Sequence, residues 1–98
     1  MARFGVYELA DGSELMLDCQ ADTVDVGRRL LVPLIAEDEL PSRVRGLHPV
    51  FTIGGERLVM ATHRMATVPD REIGRHVRSL RHEADRIMQA VDHLLTGY

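Results

Sequence analysis

The hydrophobic period of this chain changes once, and that change limits the folds open to it. Up to Val68 the apolar residues come in short alternating runs separated by turn formers; from Ile73 onward they recur at steps of four and three. Alternation at period two marks half-buried strands, whereas a period near 3.6 marks an amphipathic helix. RFGVYEL alternates around Phe4, Val6 and Leu9, and ELMLDC returns after Asp11-Gly12 with Leu15 and Leu17 on one face. Asp-Gly between two such runs is a strong hairpin signal, since tight hairpin turns need positive φ. A polar loop, QADTVDVG, leads into RRLLVPLI, apolar enough for a central strand, where Pro33 implies a bulge, a bend or an edge position. HPVFTI and RLVMAT form a second hairpin across Gly54-Gly55. The stripe Ile73, Val77, Leu80, Ala84, Ile87, Val91 and Leu94 predicts one long helix. Thr67 and Asp70, flanking Pro69, are its expected capping pair, and Gly74 and Ser79 are places where it could kink or divide. The expected fold is mainly β with a C-terminal α-helix: a small antiparallel barrel or half-barrel, the helix packed on the sheet.

Ninety-eight residues suit a single domain over residues 1–98 with one modest core. Two Phe, two Tyr and no Trp leave that core to Leu, Val, Ile and Met, an economy often completed by a second copy. A net charge of −3 argues against non-specific DNA or RNA binding, which needs a basic face to displace counterions. All basic residues are Arg, the side chain suited to planar, bidentate contacts at interfaces. Cys19 is alone, so no internal disulfide forms and zinc spacing is absent, which fits a reducing compartment. MARFGVYELADG lacks an apolar leader core and no run approaches a membrane span, so a soluble, cytoplasmic protein is expected.

Few constellations suggest chemistry. His48, His63, His76, His82 and His93 show no consistent ligand spacing, and neither a metal nor any other cofactor is expected. Thr62, His63 and Arg64, with Asp22 or Asp25 from the polar loop, could supply a general base and a phosphate clamp for a nuclease. Surface residues at a strand end are the plainer account of the same trio. Asp18 beside Cys19 opposes thiolate formation, and Gly54-Gly55 lacks the Lys-Ser/Thr of a phosphate loop. Val91, Leu94 and Leu95 have little polar cover near the helix end. A second copy of the helix would hide them, because a two-fold dimer needs one self-complementary patch.

In order along the chain, Phe4 with Val6-Tyr7, DCQAD at 18–22, GRRLLVPL at 27–34, HPV at 48–50, IGGE at 53–56, MATHRMATVP at 60–69, Ile73-Gly74 and a helix with Leu80, His82, Ile87, Ala90 and Gly97 resemble the CcdB toxin family. The resemblance covers essentially the whole chain in one register. It implies an SH3-like barrel with a carboxy-terminal helix and a homodimeric, non-enzymatic toxin of a type II toxin–antitoxin module. Such toxins bind the dimerisation domain of DNA gyrase A and trap the cleaved gyrase–DNA complex; a CcdA-like antitoxin neutralises them. Carried onto this sequence, the gyrase-binding residues are Thr96, Gly97 and Tyr98, supported by Asp92 and Leu95, with Thr23 and Val24 as a second contact region. Where the family ends on Trp–Gly–aliphatic, this chain has Thr96-Gly97-Tyr98. The acidic stretch Ala36 to Leu40 is either a solvated loop or a place to meet an Arg-rich antitoxin segment. Two alternatives stand beside this implication: a MazF-like endoribonuclease on a related fold, and a non-poisoning relative that only binds antitoxin.

Overall fold

Five strands fall where the alternation puts them, in a computed structural model that describes residues 1–97. They are β1 (Gly5–Leu9), β2 (Leu15–Asp18), β3 (Arg28–Ala36), β4 (Val50–Ile53) and β5 (Glu56–Met60). The β4–β5 hairpin closes with Ile53 opposite Glu56, and both intervening glycines have positive φ, 60° and 81°. That is the turn geometry which makes Gly-Gly a hairpin signal.

The segment after Met60 departs from the expected helix. Residues 66–79 form two further strands, β6 (Ala66–Pro69) and β7 (Ile73–Ser79), and the helix α1 runs only over Ala84–Thr96. Thr67 and Asp70 are therefore not helix caps. The Thr67 hydroxyl and carbonyl accept from the Arg28 guanidinium at 2.9 Å each, and the Asp70 N–H donates to Gly27 O at 3.1 Å. The physical reason lies in β1, whose free edge takes β7 with Val6 opposite Arg78, Tyr7 opposite His76 and Leu9 opposite Ile73. Ile73 and Val77 are four apart, a spacing that serves one face of a strand as well as one face of a helix. Gly74 permits the approach, because a Cβ there would lie 3.0 Å from Glu8 O and 3.2 Å from Ala10 Cα. The helix gets its entry from Ser79, whose Oγ accepts from the Arg81 N–H at 3.1 Å ahead of a 3-10 turn over Arg81–Glu83.

The sheet is antiparallel in the order β4-β5-β3-β2-β1-β7, with β6 also on β3. One edge of β3 is shared, since its Arg28–Leu31 half pairs with β6 and its Leu34–Ala36 end pairs with β5. Pro33 sits at the handover. Its carbonyl accepts from Ala61 N–H on that side at 2.9 Å, so the missing donor points where neither strand is in register to claim it. The sheet curls into a half-barrel against which α1 packs through Ile87, Ala90 and Val91. These join Phe4, Val6, Leu17, Val32, Phe51, Met60 and Leu80 in the main core. Mainly β with a single carboxy-terminal helix on a small antiparallel barrel-like sheet is thus the fold, among the described residues. Phe4 is the one non-glycine there with positive φ, 67°. It is held by its N–H on Asp18 O (2.6 Å) and its carbonyl under Leu80 N–H (2.8 Å), its ring buried in the core.

Candidate functional site

The candidate contact residues lie on two segments, the loop between β2 and β3 and the last turns of α1. The loop is polar in sequence yet firmly anchored. Beneath it Asp18 and Arg29 are both buried and paired, with Arg29 Nε 2.9 Å and Nη2 2.8 Å from Asp18 Oδ2. The other Asp18 oxygen accepts the Gln20 N–H at 3.0 Å. Burial pushes the Asp18 carboxyl above its usual range, against the opposing pull of the Gln20 N–H and the Arg29 guanidinium. Arg29 also donates to Gln20 O at 3.1 Å and, at 3.4 Å, to Val24 O, which also accepts from the Gln20 side-chain amide at 2.9 Å. Val24 is thus tied by its backbone while its side chain is 44% exposed; Thr23 before it is exposed, and Val26 is 69% exposed.

On α1 the inner face is locked in the core, leaving an outer stripe of Met88, Asp92 and Leu95 at i, i+4 and i+7. Met88 is half-buried, Asp92 is exposed and Leu95 is 71% exposed. The helix stops at Gly97, whose φ of 81° and N–H to His93 O at 2.9 Å form a left-handed glycine stop. The Thr96 hydroxyl is turned back onto Asp92 O at 2.6 Å, which occupies it within the helix. Tyr98 lies outside the described residues. Leu94 is half-buried and Val91 buried, so of the three apolar residues expected to lack cover, Leu95 is the one left to solvent.

The loop is tied to the first half of α1 by a residue that the sequence did not single out. Arg3 donates its backbone N–H to Asp22 Oδ1 at 2.7 Å, while its guanidinium reaches Met88 Sδ at 3.2 Å and covers the Phe4 ring at 4.9 Å. Arg81, just before α1, is a second link, 3.8 Å from Asp22 Oδ2. Asp22 is the neighbour of Thr23, and Met88 stands one turn before Asp92 on the same stripe, so Arg3 ties the loop to the first half of α1. No local pattern carries this, because Arg3 and Met88 are 85 residues apart.

The nuclease trio is arranged differently from what catalysis would need. Thr62, His63 and Arg64 form a 3-10 turn, not a strand end, and the Thr62 hydroxyl is committed to Leu47 O at 2.5 Å. His63 Nδ1 is 2.9 Å from His48 Nε2, and His48 Nδ1 accepts the Val44 N–H at 2.9 Å. With its Nδ1 an acceptor, neutral His48 carries its proton on Nε2 and donates it to His63, whose only basic nitrogen is thereby occupied. Burial, then the neighbouring His63 and Arg43 charges, lower the affinity of His48 for a second proton. Asp22 is engaged with Arg3 and Arg81, and Asp25 accepts from Gly27 N–H at 3.4 Å. Among the described residues, no group of three or more His, Cys, Asp or Glu is placed to hold a metal ion. Cys19 is buried, and burial reinforced by Asp18 pushes its thiol up to about 12. No helix among the described residues is long and apolar enough to cross a membrane.

A curled antiparallel half-barrel with one helix packed on it, and an anchored loop tied to the first half of that helix, defines a class of small mainly β protein. Within it the relationship is specific: residues 3–97 match the family described as CcdB protein, and the chain belongs to the CcdB family. Membership supports a toxin of a toxin–antitoxin pair, in a family of poisons and not of catalysts.

Proposed function

We propose that this chain is the toxin of a type II toxin–antitoxin module, a single CcdB-like domain that works as a cytoplasmic homodimer. It binds DNA gyrase A, traps the cleaved gyrase–DNA complex, and is neutralised by a CcdA-like antitoxin. The contact residues in this reading are Asp92, Leu95, Thr96, Gly97 and Tyr98 on and beyond α1, with Thr23 and Val24 on the loop. The observation that supports it is that both candidate segments present exposed apolar side chains from anchored backbone: Val24 on a loop that Arg3 ties to α1, and Leu95 on the last turn of α1. Val24 and Leu95 are each offered to a partner from anchored backbone, so little backbone freedom remains to be lost on binding. Burying a leucine such as Leu95 is worth about 1.5–3 kcal/mol, and a pair of tips in a dimer doubles the contact. The family's Trp anchor is replaced by Thr96, so in this chain the apolar contact falls to Leu95, with Tyr98 supplying the aromatic ring.

The test is a cleavage assay with purified protein, gyrase from the native host, supercoiled DNA and ATP, stopped with denaturant. The expected result is linear DNA that disappears when Thr96 to Tyr98 are deleted, while circular dichroism and gel filtration stay those of the intact protein. Undiminished cleavage by the truncated protein would refute the assignment of the tip. An intact protein that binds antitoxin yet yields no linear DNA would refute gyrase poisoning itself.

A further inference from the structure

Between α1 and the segment before β4 lies an open cleft of about 390 Å³, lined by Arg45, Gly46, His48, Pro49, Val50, Arg86 and Gln89. Its size falls in the range of small-molecule sites. We propose that it binds a phosphate-type oxyanion. Two arginines and one glutamine are among its lining residues, and no acidic residue is. Arg86 is held in place: Nη1 pairs with Glu83 at 2.9 Å, Nη2 donates to Val50 O at 3.2 Å, and the guanidinium lies 4.8 Å over the Phe51 ring. Those contacts occupy two of its five N–H donors and leave the others for a ligand. Arg45, on the connection between β3 and β4, is exposed and has no ion-pair partner among the described residues.

His48 contributes wall and not charge. Its Nδ1 accepts from Val44 N–H and its Nε2 faces His63, so it is neutral and has no donor left for a ligand. The positive potential therefore comes from Arg45 and from Arg86, the latter offset in part by Glu83. The donors come from different elements: Arg45 from the β3–β4 connection, Arg86 and Gln89 from the helix. A tetrahedral phosphate has oxygens directed to several sides and uses such an arrangement, whereas a flat carboxylate uses one fork. With a chain net charge of −3, the cleft suits a single local phosphate contact and not a continuous nucleic-acid track. The phosphate is either free or part of a nucleic-acid backbone.

The ¹⁵N-labelled protein is titrated at constant ionic strength with inorganic pyrophosphate, with a short DNA duplex and with acetate. Saturable shifts are expected at the Gly46 amide, the Gln89 side-chain amide and Arg45 Nε. An Arg45→Ala/Gln89→Ala double variant, changing two exposed side chains outside the core, weakens binding at least about tenfold, or roughly 1.4 kcal/mol. Response to pyrophosphate assigns the site to free phosphates; response to duplex alone assigns it to backbone phosphate. Saturation by neither, an equal response to acetate, or unchanged affinity in the double variant overturns the proposal. Because gyrase plays no part in this titration, its result is independent of the toxin reading.

Discussion

Replacing Arg29 by methionine keeps most of the side chain's volume and removes its charge, leaving Asp18 buried beside an apolar neighbour. Arg29 gives that carboxylate two contacts, at 2.8 and 2.9 Å, and a further bond at 3.1 Å to Gln20 O; the 3.4 Å contact to Val24 O is too long to count for much. Both side chains are out of solvent, so the discount applied to exposed pairs does not operate. Removing one partner of a buried pair costs about 3–5 kcal/mol, chiefly through the charge left uncompensated. At about 4–8 °C per kcal/mol for a domain of this length, the midpoint of thermal unfolding should fall by at least about 12 °C. The comparison belongs at one protein concentration, because dimerisation would make the midpoint concentration-dependent.

The effect has a pH signature whose sign can be worked out. Burial already raises Asp18 above its unfolded value of 3.8, and loss of Arg29 raises it further. As pH falls from neutral toward 3.8, folded Asp18 takes up a proton that the unfolded chain has yet to bind. Protonation therefore favours the folded state across that window, and the penalty of the variant shrinks on acidification. An Asp18→Leu/Arg29→Met double variant removes the stranded charge and recovers much of the loss at neutral pH. Urea unfolding of the three proteins at neutral and mildly acidic pH measures all of this. A loss below about 1 kcal/mol, the scale of an exposed pair, or a penalty unchanged by pH, would show that the pair does not anchor the loop.

The histidine pair and the cysteine yield two simpler tests. Folded His48 is held below its usual 6.5, so as pH falls from 6.5 through that lowered value the unfolded chain takes up more protons and stability declines; His48→Gln should flatten this slope in urea titrations, and an identical slope would reject the pairing. Cys19, with its thiol pushed up to about 12, should resist a thiol-specific disulfide reagent at mildly alkaline pH and react once guanidinium unfolds the chain, whereas prompt native labelling would contradict its burial.

Local features were legible in the chain alone. Period-two alternation and glycine turns located β1 to β5 and both hairpins, because a short turn and the strands that flank it are specified by neighbours in the chain. The inner face of α1, with Ala84, Ile87, Val91 and Leu94, followed likewise from its own period. Family resemblance supplied the candidate residues Thr23, Val24, Asp92, Leu95, Thr96, Gly97 and Tyr98, which no spacing would have chosen. Packing settled the remainder. Ile73 and Val77 satisfy helix and strand alike, and the open edge of β1 made them strand; Gly74, poor in a helix and needed for the close approach to β1, was the available clue. Likewise the union of loop and helix through Arg3 depends on contacts between residues 19 and 85 positions apart. Hydrophobic period reports which face of an element is buried; only the packed sheet determines which element lies against that face, and hence which surface side chains meet.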